Sequence, residues 1–142
     1  MNDNAKMLHD AIGVTITSNN HPSKLTVWLG GKFTEVEEGT VAMEYIVRDN
    51  MLNPLGSMHG GIMSLLIDEV MGAAVFSLGL KDFYTNINLA LDFVRSAKQG
   101  ETIIVKASPV KVGRRVLTMK CDIYNEAQKL VASGSANYVT IS

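Results

Sequence analysis

The sequence predicts an α+β fold in which an antiparallel sheet wraps around one long central helix. The first observation is an apolar run over residues 62–80. The second is that the hydrophobic period changes from 3.6 to 2 directly after this run, where four alternating segments follow. The third is a further alternating segment before the run. Strands gathered around a single helix are typical of α+β domains.

Length and composition indicate one domain over residues 1–142, with residues 1–23 as an N-terminal helix and extension. Hydrophobic residues make up 46% of the chain and charged residues 19%, which is enough apolar material for a core. The net charge is -1 and no basic stripe is visible, so we expect no nucleic-acid partner. The single cysteine, Cys121, excludes an intrachain disulfide and a cysteine-based zinc cluster. The polar start lacks a signal-peptide core, so we expect a cytoplasmic protein.

Three elements are predicted before the long helix. Residues 5–13 are predicted to form a short helix, residues 25–28 an extended segment and residues 41–47 a strand. The strand prediction rests on Val41 and Met43, which alternate with less apolar neighbours.

The helix over residues 62–80 is apolar nearly all the way round, which predicts burial by protein on most sides. Its length matches a membrane span, but Asp68 and Glu69 lie at its centre, where each carboxylate would cost about 2.5–3.5 kcal/mol in a bilayer. We therefore expect no membrane span. Ser57 is the predicted N-cap and Gly79 the predicted stop.

The segments after the helix predict a meander of four strands. The first has one predicted buried face, made of Ile87, Leu89, Leu91 and Phe93. The others are predicted over residues 103–112, 117–124 and 130–141, with a hairpin loop at 125–128. Pro109 cannot donate to a strand ladder, so it marks an edge position or a bulge.

The segment most informative about chemistry surrounds the start of the long helix. Gly60 and Gly61 lie where helix amides are unsatisfied, which suits an anionic oxygen formed during acyl transfer. The alternative is a tight turn with close helix packing. His59 lacks a serine or cysteine nucleophile nearby, so we expect it to orient a loop or a substrate carbonyl, or to cap the helix. His9 and His21 have no metal-ligand spacing to it.

Asp68 is the sharpest signal, because a carboxylate is costly to bury in an oily helix unless it is paired or used. The alternative is that it faces solvent where the helix surfaces. If His59 and Asp68 lie on one helix, nine residues place them on opposite sides, roughly 13 Å apart along the axis. Either one of them is not catalytic, or a second chain completes the site, as a two-fold dimer would.

The run Asn53-Pro54-x-Gly56-x-x-His59-Gly60-Gly61, with Asp68 nine residues after the histidine, resembles the hotdog-fold acyl-CoA thioesterases of the PaaI-like branch. The likeness extends through residues 92–101 and 112–116 and covers about residues 36–141. The resemblance implies a hotdog fold, in which an antiparallel sheet wraps around a central helix. It also implies a homodimer with joined sheets, often a dimer of dimers, and thioester hydrolysis without cofactor or metal.

The resemblance also implies roles for individual residues. Asp68 corresponds to the family's general base or nucleophile, and the backbone N–H of Gly60 to its oxyanion donor. His59 and Asn53 correspond to the residues that place the thioester carbonyl and the attacking water. In such proteins Asp68 comes from one subunit and the other three residues from its partner.

One position departs from the family pattern, which often has Ser or Thr in the strand after the helix. Asn86 occupies the matching register and Thr85 is one residue off, and such a shift changes the face of the strand. Candidate contacts for the CoA phosphates, each equally compatible with a solvated charge, are Arg95, Lys98, Arg114 and Arg115. Gly61 is a further candidate for substrate binding.

The sequence therefore predicts an acyl-CoA thioesterase with a composite dimeric site. The first alternative is an acyl-CoA-binding sensor on the same scaffold, which would bind the ester without releasing thiol. The second is a hydratase of the same fold.

Overall fold

The computed structural model describes residues 1–141, which form three α-helices, a short 3-10 turn and six strands. The helical elements are α1 Asp3–Asp10, α2 Lys24–Leu29, the 3-10 turn Asp49–Met51 and α3 Gly60–Ser77. The strands are β1 Lys32–Glu37, β2 Thr40–Ile46, β3 Tyr84–Phe93, β4 Thr102–Val112, β5 Val116–Asn125 and β6 Leu130–Thr140.

The six strands form one sheet in the order β1-β2-β4-β5-β6-β3, and every neighbouring pair is antiparallel. Helix α3 packs across this sheet and contacts β2, β3, β4 and β5. The predicted α+β architecture is confirmed. The prediction of a four-strand meander is wrong for its first strand: β4, β5 and β6 form a meander, but β3 pairs only with β6 and lies at one edge of the sheet.

Helix α3 has two different faces. One face is buried, and its seven residues recur at the spacing of a single helical stripe: Met63, Leu66, Ile67, Val70, Met71, Ala74 and Ser77. The opposite face carries Asp68, Gly72 and Phe76, which are spaced at i, i+4 and i+8. Burial against the sheet thus explains the apolar residues on one face of α3, but not those on the other. Within residues 1–141, α3 is the one helix long and apolar enough to match a membrane span.

The N-terminal segment is fastened to the end of α3. Asn2 donates its side-chain amide to the carbonyl of Ser77 at 2.8 Å, and Asn4 donates to the carbonyl of Phe76 at 3.0 Å. These side chains satisfy carbonyls that a helix end leaves without partners. Gly79 follows with a φ of 64°, as predicted for the helix stop.

Two local predictions outside the sheet are wrong. The segment over residues 25–28 is helical rather than extended, because Ser23 accepts from the Thr26 N–H at its start and Gly30 ends it in a left-handed conformation. These caps outweigh the strand preference of the residues between them. Ser57 does not cap α3; His59 does.

The predicted alternation of β3 is correct only in part. The register of β3 against β6 shifts between Asn86 and Asn88, so the strand carries a bulge. As a result Ile87 is 63% exposed, while Leu89 and Leu91 stay half-buried. Phe93, on the same side as Leu89 and Leu91, is 56% exposed at the end of the strand. The bulge predicted as one option at Pro109 is confirmed by a register shift in β4.

Gly134 of β6 leaves room for the side chains of Leu91 in β3 and Ile67 in α3. A Cβ there would lie 2.7 Å from Leu91 Cδ2 and 3.0 Å from Ile67 Cγ2, so a larger residue must displace these side chains. We expect Gly134→Val to lower the free energy of unfolding by about 1–3 kcal/mol, measured by urea denaturation. Ser135→Val is the matched control, because Ser135 is exposed and we expect a change within about 0.5 kcal/mol. Equal stability of the two variants would contradict this contact.

Candidate active site

The N-terminal tip of α3 is organised by His59. Its backbone N–H donates to the Met51 carbonyl at 2.8 Å, and its Nδ1 accepts from the Gly61 N–H at 2.8 Å. An imidazole that accepts at Nδ1 carries its proton at Nε2 when neutral, so Nε2–H is available as a donor. The amide of Gly61 is occupied by this cap and is not available to a substrate in this arrangement.

Gly60 is the first residue of α3, so its N–H has no acceptor within the helix. A Cβ at Gly60 would lie 3.3 Å from the ring of Phe93, so the glycine leaves room for that ring. A cavity of about 380 Å³ lies at this tip. Its lining residues are Asn53, Ser57, Met58, Gly60, Met63, Phe93, Val94, Arg95 and Ser96. The positive end of the helix dipole and the Gly60 amide both favour an anionic oxygen in this cavity.

Asn53 shapes the loop that leads into this tip. Its Oδ1 accepts from the backbone N–H groups of Leu55 at 3.0 Å and Ser57 at 3.2 Å. Its Nδ2 donates to Ser57 Oγ at 3.1 Å, which uses one of its two amide protons. Asn53 therefore holds the loop and keeps one donor for a ligand in the smaller cavity.

Asp68 lies at the middle of α3 and is half-buried. Its Oδ1 accepts from Asn86 Nδ2 at 3.0 Å. The sequence left open whether Thr85 or Asn86 faces Asp68. With the bulge in β3, the Asn86 side chain points toward the carboxylate and Thr85 is exposed. The hydrogen bond fixes the carboxylate in orientation and leaves Oδ2 open.

A larger cavity of about 670 Å³ adjoins Asp68. Its polar lining includes Asp68, Glu69, Thr85, Asn86 and Tyr138, and Glu69 also accepts from Thr26 Oγ1 at 3.1 Å. Its apolar lining comes from the N-terminal segment, β1, β2 and α3: Met7, Leu8, Ala11, Val14, Ile16, Phe33, Met43, Ala73 and Phe76. The arrangement places a carboxylate beside a large apolar space.

Tyr138 is a residue of this cavity that the sequence analysis missed. It pairs with Asn86 across β3 and β6, and it is 4% exposed. Burial and the nearby charge of Asp68 raise the pKa of its hydroxyl. The available signal was its position in β6, where it continues the buried alternation of Ala132, Gly134 and Ala136 with a large polar-tipped side chain.

The two halves of the candidate site do not meet within one protomer. Gly60 and Asp68 are eight residues apart on α3, or about 12 Å along its axis. They line two cavities that share no lining residue. Asn53 lies with Gly60 in the smaller cavity, whereas Thr85 and Asn86 lie with Asp68 in the larger one.

The predicted cationic contacts are distributed over both ends of the sheet. Arg95 lines the smaller cavity and donates to the Leu130 carbonyl at 2.8 Å. Arg114 and Arg115 are exposed in the turn between β4 and β5, at the end of the sheet where β3 and β5 begin. They line neither cavity. Among residues 1–141, no group of three His, Cys, Asp or Glu side chains is arranged to hold a metal.

Sequence comparison finds a matching family and several similar proteins. The family model described as "Thioesterase superfamily" matches residues 55–132. Human acyl-coenzyme A thioesterase 13 is 29% identical over 107 residues, covering 73% of this chain and 76% of that protein. A putative esterase of Mycobacterium tuberculosis is 30% identical over 110 residues, covering 75% and 78% of the two chains.

Solved structures share the fold. The Escherichia coli PaaI protein superposes with a TM-score of 0.82 at 24% identity, covering 98% of this chain and 94% of that one. A Streptococcus mutans protein bound to acetyl-CoA gives 0.78 at 23% identity, covering 87% and 98%. A Streptococcus pneumoniae hypothetical thioesterase with coenzyme A gives 0.75 at 23% identity, covering 80% and 87%.

These matches confirm the predicted hotdog fold and the prediction that the protein is a thioesterase. The family match begins just before the tip of α3 and runs through Asp68 into β6, so it contains Gly60 and Asp68 but not Asn53 or Tyr138. The chain belongs to the thioesterase superfamily.

Proposed function

We propose that the protein hydrolyses the thioester of an acyl-CoA to a carboxylic acid and CoA, at a site shared by two subunits. The observation that carries this proposal is the separation of Asp68 from the Gly60 amide into two cavities of one protomer. The name of the human relative and the CoA ligands of two structural neighbours support the choice of an acyl-CoA as substrate.

The edge strand β3 supports a two-fold dimer. An unpaired strand edge is a template for pairing with another chain, and Ile87 and Phe93 expose more than half of their surface there. Antiparallel pairing of β3 with the partner's β3 would place the start of each strand beside the end of the other. The α3 tip of one protomer would then lie toward Asp68 of the other. Arg114 and Arg115 would lie toward the partner's Gly60 cavity, where they suit the CoA phosphates.

The proposed chemistry uses the polar groups of both halves. The Gly60 N–H stabilises the oxyanion as the thioester carbonyl becomes tetrahedral, with help from the helix dipole. His59 Nε2–H and the free Asn53 amide proton orient the carbonyl and the water. Asp68 either removes a proton from that water as the water attacks the carbonyl carbon, or attacks that carbon itself to form a mixed anhydride, which the water then hydrolyses to the carboxylic acid and free Asp68. In both routes the C–S bond breaks, and the CoA sulfur leaves as a thiolate that takes up a proton.

The larger cavity is the proposed acyl site. Its volume of about 670 Å³ lies within the ~300–1,000 Å³ usual for small-molecule pockets. Most of its lining is apolar, and Gly72 and Ala73 leave space along α3 next to Asp68. An acyl-CoA with a bulky apolar acyl group, such as a medium aliphatic chain or an aryl group, fits these features better than acetyl-CoA does.

Asp68→Asn tests the catalytic carboxylate, because an amide neither accepts a proton nor attacks a thioester. We expect kcat for several acyl-CoAs to fall by about 10²-fold or more, measured as release of free thiol. Asp82→Asn is the matched control, since Asp82 is exposed in the loop between α3 and β3. Turnover of Asp68→Asn within a few-fold of wild type would refute the assignment. Tight acyl-CoA binding by the wild type without thiol release would favour a sensor.

Subunit complementation tests the shared site. In a mixed dimer of Asp68→Asn and His59→Ala chains, one site combines both defects and the other site is intact. Random pairing makes half of the dimers mixed, so co-expression is expected to restore about one quarter of wild-type activity. Activity no higher than that of the two variants measured apart would show that each site lies within one chain.

Gly72→Leu tests the acyl site without disturbing the fold. A Cβ at Gly72 meets no atom within 4 Å, and leucine favours helix over glycine by roughly 0.8 kcal/mol. We expect the melting temperature to hold or rise, while kcat/KM for bulky acyl-CoAs falls about tenfold and that for acetyl-CoA changes little. Gly72→Ala is the control, because a methyl group leaves most of the cavity open. An unchanged acyl preference in Gly72→Leu would place the acyl group elsewhere.

A further inference from the structure

The N-terminal segment, residues 2–16, crosses the larger cavity from helix α3 to strand β1. Near its start, the side-chain amide of Asn2 donates to the Ser77 carbonyl of α3 at 2.8 Å. Near its end, the Gly13 N–H donates to the Phe33 carbonyl of β1 at 2.9 Å. The segment is therefore attached to the protein at both ends, and the residues between these attachments form one side of the cavity.

Asn2 connects α1 to α3 through one side chain. Its Oδ1 accepts from the Ala5 N–H at 2.9 Å and so caps α1, while its Nδ2 donates to the Ser77 carbonyl. Its backbone N–H donates to Glu38 Oε1 at 2.9 Å. A Cβ at Gly79 would lie 2.6 Å from Asn2 Cγ, so the glycine leaves room for this side chain. These contacts determine where α1 begins relative to the end of α3.

Leu8 lies on the face of α1 that is turned toward α3. Asn4, Leu8 and Ala11 are spaced at i, i+4 and i+7 and so share one face of the helix. Asn4 donates to the Phe76 carbonyl of α3 at 3.0 Å, and Leu8 follows one turn later, about 6 Å along the axis. Leu8 and Ala11 are half-buried and line the cavity, and Leu8 is the larger of the two.

The opposite side of the cavity follows α3 away from the candidate catalytic carboxylate. Asp68, Gly72 and Phe76 all line the cavity at i, i+4 and i+8, so they form a stripe roughly 12 Å long. Gly72 has no side chain, which leaves the middle of the stripe open. An acyl group whose thioester lies at Asp68 can follow this stripe toward Phe76, the residue to which α1 is attached. The stripe is comparable in length with an extended aliphatic chain of medium length.

Resting on the proposed function, we propose that Leu8 limits the length of the acyl group that the enzyme hydrolyses, and that Asn2 is the positioning residue that holds Leu8 in place. The distal end of a medium-length aliphatic acyl group contacts Leu8. A longer chain must displace α1 from its attachments to α3, which opposes its binding. A shorter chain leaves part of the apolar wall uncovered. The favoured substrates are therefore acyl-CoAs with an aliphatic chain of medium length.

The test is the chain-length profile of thiol release, measured as kcat/KM over a series from acetyl-CoA to palmitoyl-CoA. In Leu8→Ala we expect kcat/KM for chains longer than the wild-type optimum to rise about tenfold relative to that optimum. In Leu8→Phe the optimum is expected to move to shorter chains. Val27→Ala is the matched control, because Val27 is half-buried against the core and does not line the cavity. Its profile is expected to stay that of the wild type even where its melting temperature falls.

Asn2→Asp, measured in the same series, separates the attachment of α1 from its capping. Aspartate caps a helix as well as asparagine does, but it cannot donate to the Ser77 carbonyl. We expect this variant to accept longer chains, as Leu8→Ala does, while its turnover of acetyl-CoA stays near that of the wild type. Asn19→Asp is the control, since it makes the same charge change at an exposed residue that does not line the cavity.

The outcomes distinguish this inference from the proposed function. A wild-type chain-length profile in either folded Leu8 variant, together with loss of turnover in Asp68→Asn, would overturn the role of Leu8 alone. An equal shift of the profile in Val27→Ala would also overturn it, because the shift would then follow from lost stability. A wild-type profile in Asn2→Asp would overturn the positioning role of Asn2. Retained turnover in Asp68→Asn, or a wild type that releases no thiol from any member of the series, would overturn the proposed function and this inference with it.

Discussion

Helix α3 carries the two groups on which the proposed reaction depends, the first-turn amide of Gly60 and the carboxylate of Asp68. The rise of an α-helix separates them by about 12 Å, and the helix is held against the sheet by its buried stripe. A thioester carbonyl and the water that attacks it must lie within bonding distance of each other. The rigid spacing of one helix therefore makes a single protomer insufficient for this arrangement, and a second copy of the same helix is the simplest way to supply what is missing.

Placing a carboxylate on an otherwise apolar helix has an energetic consequence for the surrounding strands. An ionised group shielded from water needs hydrogen-bond donors, and the bulge in β3 supplies one by turning Asn86 toward Asp68. The same pairing of β3 with β6 brings Tyr138 to the cavity. The irregular part of the sheet is thus the part that serves the carboxylate, whereas the regular part of β4 and β5 forms the core beneath α3.

Much of the fold follows from the sequence because hydrophobic period and turn residues report directly on regular elements. The long helix, the antiparallel strands β2 to β6 other than their order, and the stop at Gly79 were predictable in this way, whereas the pairing of β3 with β6 instead of β4 was not. Helix α2 was not, because its existence depends on the caps at Ser23 and Gly30 rather than on an apolar period. The exposure of Ile87 was not predictable either, since an edge-strand bulge shifts the alternation by one residue without any glycine or proline to mark it.

The residues of the candidate site were predictable from the sequence, but the contacts between its strands and α3 were not. The separation of His59 from Asp68 followed from helix geometry alone, and the motif around them carried the resemblance to a family. The identity of the residue facing Asp68 required the register of β3, which a sequence does not give. Tyr138 lies 70 residues after Asp68 and meets it only through two strand pairings, so no local pattern connects the two.

The wall of the larger cavity formed by Leu8, Ala11 and Val14 belongs to a part of the chain outside the matched region 55–132. Asn2 and Asn4 fasten that part to the end of α3 through backbone carbonyls, and such contacts impose little on the side chains facing the cavity. Mutations could therefore remodel this wall while the reacting groups stay fixed. Homologues that diverge in this stretch would be free to accept different acyl groups with one inherited chemistry.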